Sequence, residues 1–302
     1  MKIPPNLKKG DTIGIMCPAG YMALEKAQTC INTLQNWGFK VIVGNTLGGN
    51  STTYFSGSDE ERCFDLQTML DDKDIKAVLF GRGGYGMGRI IDDLNFKHFK
   101  KNPKWLIGFS DITVLHTHLF SNYKISSMHA SMAAAFNDGE WENEYVQSIL
   151  NAIKGKKGKY SCAPHPFNKP GTATGKIIGG NLALLTTVIG TVSDYKTDNC
   201  ILFIEEIGEQ LYNIDRMLYQ LKRNGKLDGL AGLIFGGFTE LQDTDRPFGQ
   251  SIDEILQNIA SDLNIPVCYQ FPISHDKENV ALKCGLKYNL IVGKNKVTLQ
   301  EL

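Results

Sequence analysis

Excess charge of either sign is missing from this chain. Lys+Arg and Asp+Glu each number 32 among 302 residues, so the formal net charge is zero. A dedicated nucleic-acid binder rests its affinity on cationic side chains meeting phosphate, and polybasic segments hold proteins to anionic membranes; a neutral chain argues against both. No apolar run approaches the ~20 residues of a membrane span, and the first one, Ile13 to Cys17, is shorter than a signal-peptide core. The seven cysteines form no C-x-x-C pair and are odd in number, which disfavours a metal framework or a full disulfide set. Scattered cysteines fill cores in reducing compartments. Internal repeats and low-complexity segments are also missing. These absences imply a cytoplasmic globular protein with no nucleic-acid, membrane or metal partner.

What is present is an alternation of apolar strands and amphipathic helices. Strands are expected at Thr12 to Cys17, Lys40 to Gly44, Lys76 to Phe80 and Trp105 to Phe109. Between the first two, Leu24, Ala27, Ile31, Leu34 and Trp37 recur at helical spacing, closed by Gly38 as a C-cap. Continuously apolar strands alternating with helices imply a parallel sheet covered on both faces. The expected fold class is α/β: a Rossmann-like parallel domain over residues 1–150, a linker over 151–173, and a mixed α/β domain over 174–302. The linker rests on a lysine- and proline-rich stretch with little apolar periodicity. The tail, Leu286 to Leu299, reads as a hairpin turning at Gly293 to Asn295.

Four places hold chemistry-bearing residues. In Gly108-Phe-Ser110-Asp111, a serine stands where an apolar strand meets a helix, a turn that exposes a hydroxyl beside free helix-start amides. The plain alternative is a helix N-cap, which serine favours. Gly81-Arg-Gly-Gly-Tyr-Gly86 fits G-x-G-x-x-G after a strand, but it follows the third strand and lacks the acid ~20 residues on that a dinucleotide fingerprint carries. Consecutive glycines also allow close approach of backbone amides to a developing oxyanion, or simply a tight turn after the strand. In Phe203-Ile-Glu205-Glu206, a strand ends in two carboxylates, which are either ordinary solvated acids at a loop or placed to orient a histidine; period-2 alternation lets only one face a given site. In Ser274-His275-Asp276, a histidine lies in a polar loop after a strand, placed to serve as a general base or simply to be a surface residue. His116 and His118, two apart, lack the i, i+4 spacing of a helical metal pair.

Taken together with Gly179-Gly-Asn181-Leu182, Gly208-Glu209, and Ile214-Asp-Arg-Met217, these motifs resemble the LD-carboxypeptidase family, also called muramoyltetrapeptide carboxypeptidases, which includes microcin C immunity hydrolases. The resemblance runs from Gly10 to about Gly285. It implies a Ser-His-Glu triad with Ser110 as nucleophile, His275 as base and Glu205 as the orienting acid. It places an oxyanion hole at the amides of Asp111 and the Gly84 region. It also implies release of a terminal D-alanine from a peptidoglycan tetrapeptide through an acyl-enzyme, with no cofactor, by a homodimer engaged in cell-wall recycling. A terminal carboxylate calls for cationic or amide donors, for which Arg82, Arg89 and Asn181 are the candidates. The chain departs from the family pattern in Ser274, where glycine usually precedes the histidine, and in Ala130-Ser131, where Gly-Pro often follows His129. The rival within the same chemistry is an immunity-type hydrolase of peptidyl-nucleotide antibiotics. The rival from another class is a non-catalytic nucleotide-binding module built on the glycine-rich loop.

Overall fold

Apolar strands with helices between them fold here as a covered parallel sheet requires. The computed structural model describes residues 1–139 and 142–302. Five strands run parallel in the N-terminal half: β1 (Thr12–Met16), β2 (Lys40–Val43), β3 (Ile75–Phe80), β4 (Trp105–Gly108) and β5 (Ser127–His129). Between them lie α1 (Leu24–Asn36), α2 (Asp59–Asp71), α3 (Met87–Ile90), α4 (Lys97–Lys101) and α5 (Thr113–His118), and α6 (Glu144–Ile153) follows β5. Alternation along β3 shows the sheet buried on both faces. Ala77 and Leu79 pack with residues of α1 and α6, whereas Val78 and Phe80 join the core with α2 and α5. Gly38 follows α1 at φ +92°, the left-handed turn expected of a C-cap glycine.

The C-terminal half holds β6 (Lys159–Cys162), β7 (Gly171–Asn181), α7 (Leu182–Thr187), β8 (Cys200–Ile207), α8 (Leu211–Arg223), β9 (Gly232–Thr239), α9 (Ile252–Ala260), β10 (Val267–Cys268), β11 (Leu282–Cys284), β12 (Lys287–Val292) and β13 (Val297–Glu301). Its sheet runs β10-β9-β8-β7-β12-β13-β6, parallel from β10 to β7 and antiparallel beyond. The β12–β13 hairpin closes where expected, with Gly293 N donating to Lys296 O at 3.1 Å. Residues 151–173 carry more structure than their composition suggests: the end of α6, the edge strand β6 and the first residues of β7. A four-residue edge strand paired on one side needs little apolar periodicity to form.

Two features position the site. The first sheet has the order β11-β5-β4-β3-β1-β2, so β1 and β3 are neighbours and their crossovers leave in opposite directions. Ligands of such sheets bind outside the strand carboxyl ends at that switch point. There the loops after β1 and β3 meet, Gly20 N donating to Gly83 O at 2.9 Å. The second feature is that the halves are stitched together. β11 comes from late in the chain yet pairs antiparallel with β5 of the first sheet. One apolar core continues from Val78 and Phe80 through α5 to Ile178, Phe203 and Ile204 of the second sheet. At the seam, a Cβ on Gly180 would lie 2.2 Å from Thr113 Oγ1, so only glycine lets the end of β7 press against the start of α5.

Candidate active site

Ser110 stands one residue beyond β4 and opens the helical turn that becomes α5. Its φ is +61°, a left-handed conformation that costs a non-glycine residue about 1–3 kcal/mol unless the surroundings impose it. The surroundings are the helix start, where Ile112 N donates to Phe109 O, and the glycine-rich loop. A Cβ on Gly83 would stand 3.1 Å from Ser110 Cβ and 3.2 Å from its Oγ. Among the described residues the Ser110 hydroxyl makes no hydrogen bond, so it does not act as the helix cap that serine commonly is. A strained, half-buried serine at a strand-to-helix turn is the geometry of a nucleophile elbow.

Asp111 turns inward. It is fully buried, its Oδ2 accepts from Met87 N at 2.7 Å, and its Oδ1 has no hydrogen-bond partner among the described residues. Burial pushes its pKa up to about 6 against the pull of Met87, Arg62 and Gly86. Gly84, at φ +99°, lies under the Tyr54 hydroxyl, so the residue abutting Ser110 is Gly83 and the amide that follows it belongs to Gly84.

The second half of the site comes from the second sheet. Glu205, near the end of β8, is fully buried. Its Oε2 accepts from His275 Nδ1 at 2.5 Å. Glu206 points elsewhere: its Oε1 accepts from Asn181 Nδ2 at 2.5 Å and its Oε2 from Ala183 N at 2.8 Å. The two adjacent acids therefore part as strand alternation requires. Burial raises the Glu206 pKa to about 7. On His275, burial presses the pKa down, but the Glu205 charge and hydrogen bond, helped by Glu206 and Asp276, hold it above the ordinary histidine value. With Nδ1 committed to Glu205, His275 Nε2 is buried and among the described residues has no hydrogen-bond partner, Ser110 included. The imidazole packs against Phe109, the residue before Ser110, with ring centroids 4.8 Å apart.

The loop bearing His275 leaves β10 of the second sheet and enters β11 of the first. An antiparallel bridge between Ile273 and Asn279 pins it at both sides of the histidine. Asn279 Oδ1 also accepts from Nε2 of His129, at the end of β5, at 3.2 Å. His129 is wholly buried against Phe203 and Phe109. His116 is internal too: its Nε2 donates to Gly108 O and its Nδ1 accepts from Ser127 Oγ, and burial lowers its pKa to about 4.

A cavity of about 380 Å³ opens beside the imidazole, lined by Arg82, Phe109, Ser131, Met132, His275 and Lys277 among others. A larger one of about 770 Å³ lies away from these groups, around Asn45, Phe55 and Arg89. Of the three residues considered for binding a carboxylate, only Arg82 lines the site cavity. Arg89 is bound to Asp59, through Nε at 2.9 Å and Nη2 at 2.6 Å. Asn181 caps α7 through Leu184 N and donates to Glu206, so its side chain is spent. Sequence reasoning missed Arg62, Phe109 and Met132. Phe109 and Met132 carry no chemical signal, and a buried Arg62 reads as a solvated helix position in the run Asp59-Glu-Glu-Arg62.

Comparison with known proteins agrees with this architecture. Residues 13–130 match the LD-carboxypeptidase N-terminal domain and residues 174–290 the LD-carboxypeptidase C-terminal domain. A probable murein peptide carboxypeptidase of Bacillus subtilis is 34% identical, over 94% of this chain and 90% of its own. The microcin C7 self-immunity protein of Escherichia coli is 26% identical, over 98% and 94%. The crystal structure of muramoyltetrapeptide carboxypeptidase from Oxalobacter formigenes superposes with a TM-score of 0.85 at 28% identity, covering 96% of this chain and 98% of that one.

Proposed function

The chain belongs to the LD-carboxypeptidase family, and from that premise we propose that it is a serine carboxypeptidase that removes the terminal D-alanine from peptidoglycan tetrapeptides. The observation that carries the reading is the partly buried Glu205–His275 hydrogen bond of 2.5 Å, with the other imidazole nitrogen unpartnered among the described residues beside the Ser110 elbow. A serine hydroxyl is a weak nucleophile until a neighbouring base takes its proton. His275 Nε2 is the base: Glu205 fixes the tautomer that leaves this nitrogen free to accept, and stabilises the imidazolium that forms. Ser110 Oγ attacks the carbonyl of the L-centre. The amides of Asp111 and Gly84 receive the oxyanion, each contributing roughly 10²–10³ in rate. The imidazolium then protonates the departing D-alanine nitrogen, leaving an acyl-serine that water cleaves by the same base. Arg82 is the cation facing the terminal carboxylate of the substrate.

The assay is release of D-alanine from a muramoyl or free tetrapeptide by the purified protein, with Ser110→Ala alongside. Loss of release in the variant, with the fold retained, is the expected result. Undiminished release would overturn the nucleophile. The similarity to a microcin self-immunity protein supports a second substrate class, a peptidyl-nucleotide. Turnover of the two substrates by one preparation separates the readings. Recycling of cell-wall peptides inside the cell by a homodimer belongs to the same proposal.

A further inference from the structure

The peptide unit joining Gly86 to Met87 closes the glycine-rich loop, and two buried side chains grip its two ends. Its carbonyl accepts from Arg62 Nη1 at 3.2 Å, and its N–H donates to Asp111 Oδ2 at 2.7 Å. Arg62, on α2, is fully buried, a rare state for arginine. It also donates to Pro18 O at 2.5 Å and Gly57 O at 3.4 Å, pairs with Asp59, and lies 4.8 Å over the Phe55 ring. Gly86 makes room for it: a Cβ there would sit 2.6 Å from Arg62 Nη1 and 2.8 Å from Ala19 Cα.

Stability alone is a poor account of this arrangement. Buried ionic groups are often replaceable by apolar residues without loss, and what they can supply is a fixed position. The gripped peptide belongs to the loop after β3, while Asp111 belongs to the turn after β4. Those two segments carry the two amides assigned to the oxyanion. We infer that Arg62 and the Asp111 carboxylate are positioning residues that set the spacing of the oxyanion hole through the Gly86–Met87 peptide. The inference rests on the reading of Ser110 as nucleophile. Neither side chain is assigned a contact with substrate, so disturbing them costs transition-state stabilisation rather than ground-state binding, and the loss falls on kcat with KM held.

The test is steady-state hydrolysis of the tetrapeptide by the full chain carrying Asp111→Ala, Asp111→Asn or Arg62→Lys, with Ser110→Ala as reference and melting curves for each. Asp111→Ala is expected to lower kcat by about 10²-fold, the scale of a 1 Å misplacement, with KM held. Asp111→Asn, whose amide oxygen can still accept from Met87 N, recovers about tenfold or more of that loss. Arg62→Lys keeps the charge but loses the planar fork, and gives an intermediate kcat. If Asp111→Ala does not fold, Arg62→Lys and Asp111→Asn carry the same comparison. Folded Asp111→Ala or Arg62→Lys with unchanged kcat, or with KM rising in place of a fall in kcat, overturns the clamp while an inactive Ser110→Ala keeps the nucleophile standing. Activity in Ser110→Ala overturns the reading beneath both.

Discussion

Around Ser110 the backbone comes from neighbouring strand ends of one sheet: the turn after β4, the glycine-rich loop after β3, the loop after β1. Around His275 the contacts come from far apart in the chain. Glu205 is 70 residues away and supplies the carboxylate. His129, 150 residues from Asn279, holds the far end of the loop. The loop itself crosses from the second sheet to the first. On the proposed mechanism, the nucleophile is prepared by local backbone conformation, and the base by the docking of two halves of the molecule. On that reading, a strained backbone at Ser110 and a paired, partly buried His275 are two ways of holding a reactive group ready, one through φ and the other through a charge.

If the two regions act as one unit, removing either should cost nearly as much as removing both. Ser110→Ala and His275→Ala are each expected to lower kcat by about 10⁴–10⁶, and the double variant by no more than the worse single. Single-turnover rates on one tetrapeptide provide the check. Losses that multiply would mean that the elbow and the imidazole work independently, which would break the comparison at its root.

Glu205→Gln addresses the base side alone. The amide cannot stabilise the imidazolium, and a fall of about 10⁴ in kcat is expected from the corresponding change in a serine triad. The pH dependence gives a second, independent reading. His275 must be neutral to accept the serine proton, so kcat/KM falls as pH drops through its pKa, which lies above the ordinary histidine value. Removing the Glu205 charge leaves burial opposed only by Glu206 and Asp276, so that pKa falls and the acid limb moves to lower pH. A limb that stays in place would assign it to another group, of which Glu206, with its pKa near 7, is the foremost.

The same contrast explains what the sequence discloses. The N-terminal strands and helices are readable because each is a continuous apolar run or a 3.6-residue stripe, and because Gly38 and Gly81 to Gly86 punctuate them. Ser110 is readable for the same reason, standing at a strand–helix junction. The pairing of β11 with β5 is not, since three residues with an ordinary pattern gain their place only from tertiary docking. The choice between Glu205 and Glu206 is half readable: alternation says that they part, and only the fold says which one meets His275. Arg62 is invisible in sequence because its burial depends on the loops after β1 and β3 closing over α2.

The finest division lies between two arginines of one loop and the short helix after it. Arg82 lines the site cavity and commits one N–H, through Nη1, to Tyr21 O at 2.9 Å. The rest of its fork makes no hydrogen bond among the described residues, and a planar guanidinium binds a carboxylate through two parallel bonds. Arg89 gives Nε and Nη2 to Asp59 and lies 5.3 Å from the Phe55 ring, lining the other cavity. Arg82→Ala should therefore raise KM by about tenfold or more, the worth of a hydrogen bond to a charged group, with kcat much less affected. Arg89→Ala should leave KM near that of the parent, because its fork faces Asp59 rather than the cleft. Michaelis curves for both variants on the tetrapeptide, and on the same peptide amidated at its C-terminus, make the check. The amide removes the carboxylate, so it should erase the KM difference between Arg82→Ala and the parent. A KM that rises for Arg89→Ala and not for Arg82→Ala would move carboxylate recognition to the larger cavity and away from the imidazole.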